Sequence, residues 1–585
     1  MFLRKTFLAG LAFFGLAATS ATAALSDDDF VEAAWITTRF YGAQRSGEGP
    51  NWLSMGSNYT TSFLKDNVQG VDVSGGWFDC GDHAMFGQPQ SYASYVLALA
   101  YAEFTEGFYD LYTGDYSDYK DANDFSRKGG KPNKVRDLLE ELRYEADFWV
   151  KAAIDEKTFV TVKGDGDLDH KKWVTPGKMS TLGTSEGGDP RPITATANDS
   201  YTPGLAAAML AVMARVDPEE SNRSKYLKAA LIAYSYSKSH TGVSSAGSYY
   251  QSSWWGGRWQ DGKFLAALEL YRTTEDASYK TEAESFFRDL EFSSGSYTRF
   301  GYGNVVPLSV VMGEGVLDMP PAGSSFDTAI DYLNNLYKNE SDANGVFKKE
   351  TGGGGSFSVR TPAGGAFLYG LLSKFQGVST YDEMIEKNMA YLLGDNGNKK
   401  SYVVGFDRNG VTPPPTPHHR GFYGNEDTGK DPDSGFNVPE KNKLLGGTIA
   451  GDFNSGSHNT TVSTWNVNEV CVDLNAPVVG ALGYILSKKA PKTDVDLGIV
   501  PPTDALDKSK LVSNAFRMER NGGVFSIHNS AQTAFEVEVF DINGKILQSL
   551  KSDGRDVFFV PKAKGVLKVR VSFAKGQQIF TMKSF

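Results

Sequence analysis

The chain of 585 residues contains only two cysteines, Cys80 and Cys471. That excludes a disulfide framework and leaves too few sulfurs for a cysteine-based zinc site. Basic charge is also short, with 59 Lys and Arg against 70 Asp and Glu, a net of −11. Binding a polyanion such as nucleic acid needs a basic face to neutralise phosphates, so this balance disfavours it. Beyond the N-terminal leader there is no apolar run long enough to span a bilayer. What is plentiful is glycine, at 63, and aromatic side chains, at 13%. That mixture suits a loop-rich scaffold that displays rings, as sugar-binding proteins do.

The leader has its own pattern. Arg4 and Lys5 precede the apolar stretch "TFLAGLAFFGLAATS", which ends at Ala21-Thr22-Ala23. This is the pattern of a secretory signal over residues 1–23, cut after Ala23, and it falls short of the ~20 apolar residues of a spanning helix. The mature protein is expected to leave the cytoplasm and to be soluble.

From 24 to 488 the reading is one large helical domain. "DDFVEAAWITTRFYGAQ", "VRDLLEELRYEADFWVKAAI", "YLKAALIAYSYSKSH", "KFLAALELYRTTED" and "YDEMIEKNMAYLLG" carry apolar residues at three- and four-residue spacing. Long Gly/Ser/Pro-rich loops separate them, at 173–203, 241–257, 350–365 and 405–465. A helical scaffold whose loops carry the function is the expectation. Residues 489–511 are charged and contain proline, and read as a linker. Beyond it, 512–585 alternates apolar and polar residues around Asn-Gly and Lys-Gly turns, as a small β domain would.

Three clusters carry candidate chemistry. "GGWFDCGDH" (75–83) holds Asp79 and Asp82 in a glycine-bounded turn. On spacing alone this is an Asx turn, a calcium loop, a solvated acidic loop or a catalytic pair. "WNVNEVCVDLNAP" (465–477) sets Glu469 among apolar and amide residues just before a helix. Such a setting raises a carboxyl pKa, as a general acid requires, although acids at helix starts also answer the dipole. "PPPTPHHRG" (413–421) puts His418, His419 and Arg420 on a proline-stiffened loop. Adjacent histidines do not share a face as metal ligands do, so no metal is assigned there.

Together with "FYGAQRSG" (40–47) and "LLGDN…SYVVGF" (392–406), these clusters resemble glycoside hydrolase family 9, the inverting cellulases, through most of 28–488 and in the family's order. The resemblance implies an (α/α)6 barrel with a groove for β-1,4-glucan on its open face, and no required cofactor. It implies Asp82 as general base, Asp79 as its helper in holding the water, and Glu469 as general acid. His418 and Arg420 match the pair that binds the sugar beside the scissile bond, and His83 is a further sugar-binding candidate. Inversion needs room for a water between base and acid, a separation of roughly 6.5–9.5 Å. Rings that could stack on glucose are Trp77, Trp254, Trp255, Trp259 and Trp465, with Tyr249 or Tyr250; Trp255, Trp259 and Tyr250 are preferred.

Several positions depart from the family. Cys80 and Cys471 stand where small residues such as Ala are usual, beside catalytic positions. They form either a disulfide behind the active site or two buried thiols. The stretch between Gly405 and the histidines is longer than usual. Thr460 replaces a common aspartate and Leu474 a common tyrosine. "PGLAAAML" (203–210) replaces the family's acidic calcium segment, so that calcium site is not expected, and "DGDLD" (165–169) reads as a solvated loop before a calcium site. The tail, through "VFDINGKILQSL" and "GVLKVRV", resembles sorting domains of type IX secretion in Gram-negative bacteria. A small carbohydrate-binding module is the rival reading, although the tail lacks tryptophan.

The expected protein is thus a secreted or surface-attached bacterial endo-β-1,4-glucanase with the secretion machinery as a partner. Xyloglucan, mixed-linkage glucan or cello-oligosaccharides are the alternative substrates, and a non-catalytic glycan binder the other alternative.

Overall fold

The computed structural model describes residues 25–50, 62–111, 132–250, 258–290, 292, 300–321, 326–348, 357–406, 410–414, 417–420, 446–453 and 464–499. It also describes the β region from 516 to 584 except 522–523, 530–533, 564 and 574–575. The signal expected over 1–23, together with Trp254, Trp255 and Thr460, lies outside the described residues.

Twelve α-helices of nine or more residues build the large domain, among the described residues. They are α1 (Asp27–Ala43), α2 (Gly87–Glu103), α3 (Asp137–Ala152), α4 (Tyr201–Val216), α5 (Glu220–Ser239) and α6 (Gln260–Thr274). The second half adds α7 (Ala277–Arg288), α8 (Val306–Leu317), α9 (Ala329–Tyr337), α10 (Arg360–Gln376), α11 (Asp382–Leu392) and α12 (Val472–Lys489). Every second helix joins an inner ring: α2 packs on α4, α4 on α6, α6 on α8, α8 on α10, α10 on α12, and α12 returns to α2. The odd-numbered helices pack outside them, α1 and α11 against α12, α5 against α4, α7 against α6 and α9 between α8 and α10. This is the (α/α)6 barrel.

Sequence explains the two rings. Outer helices such as α3 keep a polar face, with Glu140, Arg143 and Lys151 at the surface side and Leu138, Leu142 and Trp149 buried. Inner helices are buried all round; in α4 every residue from Tyr201 to Ala214 is. They are correspondingly rich in Ala and Gly, which let backbones approach. A Cβ on Gly204 of α4 would come within 2.5 Å of the Gly262 carbonyl carbon in α6, so any larger residue would push the ring apart. The loop expected over 350–365 is already helix from Arg360, and α4 begins at Tyr201 inside the loop expected to 203. Helices with no polar face leave no three- and four-residue alternation to read.

The proline-containing linker also departs from expectation at its start. Residues 490–497 dock on the barrel: Arg136 pairs with Asp494 at 2.7 Å and donates to the Lys492 carbonyl, while the Lys492 N–H donates to Glu106. Among the described residues, no helix is long and apolar enough to cross a membrane.

Among its described residues, the C-terminal region forms seven antiparallel strands: β1 (Phe516–Asn521), β2 (Val524–Asn529), β3 (Phe535–Phe540), β4 (Ile546–Ser552), β5 (Val557–Phe559), β6 (Gly565–Phe573) and β7 (Gly576–Ser584). One sheet has the order β4-β3-β6-β7 and the other β5-β2-β1. Alternate side chains, among them Ile527, Val537, Val539, Val569 and Val571, share a core between them. The β3–β4 connection turns at Asn543-Gly544, where Gly544 takes φ +82°. A small all-β sandwich follows from that alternation.

Candidate active site

The loops that lead into α2, α4, α10 and α12 meet over one end of the inner ring. The first acidic turn is shaped by its glycines: Gly75 and Gly76 take φ of +103° and +79°, a region that favours residues without Cβ. This lets 76–78 run back along the end of α1, where Trp77 bridges Arg45 and the Phe78 N–H donates to Gln44 at 2.7 Å. The Asp79 N–H donates to the Ala84 carbonyl and the Ala84 N–H to Asp82 Oδ1 at 2.8 Å, closing the turn around both aspartates.

The three clusters, remote in sequence, are stitched together here. The Val472 N–H donates to the Asp79 carbonyl at 3.0 Å, and the Arg420 N–H to the Gly81 carbonyl at 2.9 Å. The His418 N–H donates to Asn468 at 2.9 Å, in register beside Glu469. Glu469 Oε1 accepts the Gly81 N–H at 3.3 Å, directly linking acid and acidic turn. Gly81 is required by this approach, since a Cβ there would lie 2.5 Å from the His418 oxygen. Cys80 and Cys471 form a disulfide, Cα–Cα 4.0 Å, on the same seam. Both sulfurs and a Glu469 carboxylate oxygen lie within 4.8 Å of one another; with the sulfurs bonded to each other, the grouping has no thiolate to offer a metal.

Electrostatics separate the acids. Burial, then the charge of Asp82, pushes Glu469 up to about 8, against the Gly81 N–H and Arg420. It is therefore protonated at neutral pH. Burial also raises Asp82, but His170 (Nε2 3.9 Å from Oδ2) and Arg420 favour its charged form. Burial and the charges of Asp82 and Asp473 push Asp79 well above the usual range, opposed by a hydrogen bond from the Tyr250 hydroxyl. Among the described residues, Asp79 Oδ1 is buried with no hydrogen-bond partner, so a water or sugar hydroxyl arriving there would find an acceptor.

The remaining candidates divide. Arg420 is fixed by the Gly81 and Lys172 carbonyls, by Asp169 at 3.8 Å and by the Trp173 ring at 5.1 Å. The His418 ring meets the edge of Trp173, at 4.8 Å between centroids. His83 is buried with Nδ1 on Asp169 Oδ1 at 3.1 Å. Tyr250 spends its hydroxyl on Asp79, and Trp259, half-buried at the start of α6, has Lys263 over its ring at 4.4 Å. Trp77 is wholly buried against Tyr41 and is a core residue, whereas Trp465, one turn before Glu469, is 54% exposed.

One expectation is corrected. "DGDLD" is not a solvated loop: Asp169 is fully buried, and although burial pushes its carboxyl up, His83 and Arg420 hold it far below the usual range. Asp165 caps its own helical turn and Asp167 accepts from Ser248, so the run is engaged residue by residue. Asp169, His170 and Trp173 are the site residues that sequence reasoning passes over. The signal was present in "DLDHKKW", where acid, histidine and ring lie together.

Comparison with known proteins gives a consistent answer. The family model described as Glycosyl hydrolase family 9 matches residues 30–482. Endoglucanase A of Fibrobacter succinogenes is 62% identical over 423 residues, covering 72% of this chain and 93% of the relative. Endoglucanase 23 of Oryza sativa subsp. japonica is 24% identical, covering 79% and 91%. Among solved structures, the endoglucanase of the termite Nasutitermes takasagoensis superposes with a TM-score of 0.63 at 22% identity, covering 78% of this chain and 99% of that one. The cellulase Cel9M of C. cellulolyticum does so with 0.63 and 22%, covering 78% and 98%. At that identity the structures speak for the fold alone.

Proposed function

The chain belongs to glycosyl hydrolase family 9 and is a glycoside hydrolase, and from that premise we propose that it is an endo-acting β-1,4-glucanase that cleaves with inversion. Glu469 protonates the glycosidic oxygen as the bond to the leaving sugar breaks. Asp82, whose charged form His170 and Arg420 favour against burial and Asp169, takes a proton from the attacking water, and Asp79 orients that water through its Oδ1. Arg420 and His418, braced on Trp173, hold the sugar at the scissile bond. The observation that carries this reading is that Glu469, pushed up to about 8, stands across the Gly81 N–H from a turn whose second aspartate, although also raised by burial, has His170 and Arg420 opposing that rise.

The test is the anomer first released. The mature protein is incubated with cello-oligosaccharides, a soluble cellulose derivative and xyloglucan, and followed by NMR. Initial α-product supports inversion; initial β-product overturns it. Faster cleavage of xyloglucan or mixed-linkage glucan would move the substrate assignment without touching the chemistry.

Residues 1–23 are assigned to a secretory signal and 512–585 to a sorting function in export from a Gram-negative cell. Deleting 512–585 is expected to leave catalysis intact and impair export or surface attachment. Normal export with loss of binding to insoluble cellulose would instead make the domain a carbohydrate-binding module.

A further inference from the structure

Behind Glu469 lies a small apolar cluster formed by the disulfide sulfurs, Ala450, Leu474 and the half-buried Phe357. The disulfide touches both parts of the machinery. Cys80 Sγ lies 3.5 Å from Asp79 Oδ2, and both sulfurs lie within 4.8 Å of the Glu469 carboxylate. The segments it joins are 391 residues apart. Among the described residues they also meet directly through the Val472 N–H to the Asp79 carbonyl and the Gly81 N–H to Glu469, the second at 3.3 Å, and indirectly through 418–420, which bonds to Gly81 and Asn468. A bond of the second kind lengthens at small cost, whereas a covalent bridge does not.

We propose that the Cys80–Cys471 disulfide is a positioning element for hydrolysis: it fixes the acid relative to the water-holding aspartates and forms the dry wall behind the acid's carboxyl. The proposal rests on the acid–base assignment above. Bridging two segments so far apart also restricts the unfolded chain, which would stabilise the protein by itself. A staple of that kind would leave rate constants and pH limbs alone, and this separates the two roles. The groups that face Glu469 are Asp82 and the Gly81 N–H on the acidic turn, Arg420 on the histidine segment, Asp473 on α12, and Asp79 beside the disulfide. Sulfur contributes no charge to this set. Its part is to exclude water, which keeps the carboxyl neutral to a higher pH.

The test is the double variant Cys80→Ser/Cys471→Ser, which breaks the bridge and puts two hydroxyls in the wall. The expected result is a fall in kcat of about tenfold or more with KM within about twofold, since acid and water are displaced by a fraction of an ångström. The alkaline limb of kcat should also move down by about half a pH unit or more. A variant with lower Tm but with kcat and the limb unchanged overturns the proposal and leaves a staple. If the variant does not fold, the folded wild type is treated with dithiothreitol until two thiols per chain are counted. The reagent's two thiols supply two electrons and two protons to the S–S bond, leaving two cysteine thiols and a cyclic reagent disulfide. The same changes are expected, and unchanged kcat and limb overturn the proposal. Asp82→Asn runs alongside: if it keeps wild-type activity, the acid–base assignment has failed, by a readout independent of the disulfide.

Discussion

The two sides of the cleft are built on different principles. On the proposed base side Asp82 meets the His170 ring at 3.9 Å and the Ala84 N–H at 2.8 Å, with Arg420 favouring its charged form and Asp169 opposing it. On the proposed acid side Glu469 has one N–H donor, Arg420, the anions Asp82 and Asp473, and an apolar cluster beside it. The residue types are nearly the same, two carboxyl groups, and their surroundings assign opposite jobs. In the proposed reaction the carboxyl beside the imidazole and the Ala84 N–H serves as base, and the one beside the disulfide cluster as acid.

That contrast breaks most severely if either carboxyl is neutralised. Glu469→Gln is expected to lower kcat by about 10³-fold, and Asp82→Asn by a similar factor, with the fold unchanged by circular dichroism. Activity within a few-fold of wild type for either would end the assignment. Asp79→Asn should cost less, about 10²-fold, because it orients the water and does not take its proton. Tyr250→Phe, which removes the hydrogen bond to Asp79, should cost about tenfold.

The pH profile sharpens the same contrast. The proposed reaction needs Asp82 charged and Glu469 neutral, so the rate is expected to rise as pH climbs through the raised Asp82 value and to fall as it passes about 8, where Glu469 ionises. His170→Ala removes a group that favours the Asp82 charge, so the acid limb should move to higher pH while the alkaline limb stays. Glu145 on α3 supplies the control. It is as buried as the catalytic acids, accepts from Gln90 at 2.7 Å, and is likewise pushed up to about 8 by burial. The folded state holds its proton where the unfolded chain would release it, so stability falls as pH rises from about 4.5 to about 8. Glu145→Gln should flatten that fall in Tm while changing kcat less than about twofold. A displaced pKa marks burial; only its place in the cleft makes it catalytic.

How much of this was legible depended on pattern. Outer helices such as α3 and α11 show a polar face and are readable within a few residues. Inner helices such as α4 and α10 hide behind small residues and glycines, because a helix buried on all sides has no alternation. Asp79, Asp82, Glu469 and Arg420 stand out through motif and resemblance. Asp169 was misread because five residues of "DGDLD" have the composition of a wet loop, and only the fold brings His83 and Arg420 onto one of them. Tyr250 was marked for sugar, yet its hydroxyl goes to Asp79, a direction that no spacing along the chain specifies.

The ring closes only when α12 returns to α2 and α1, and Glu469 sits at the threshold of that last helix. On the proposed roles, a chain still emerging, or cut anywhere before its final turn around the barrel, carries both aspartates and no acid to work with them. Hydrolytic power arrives all at once and last, as a report that the circle is complete.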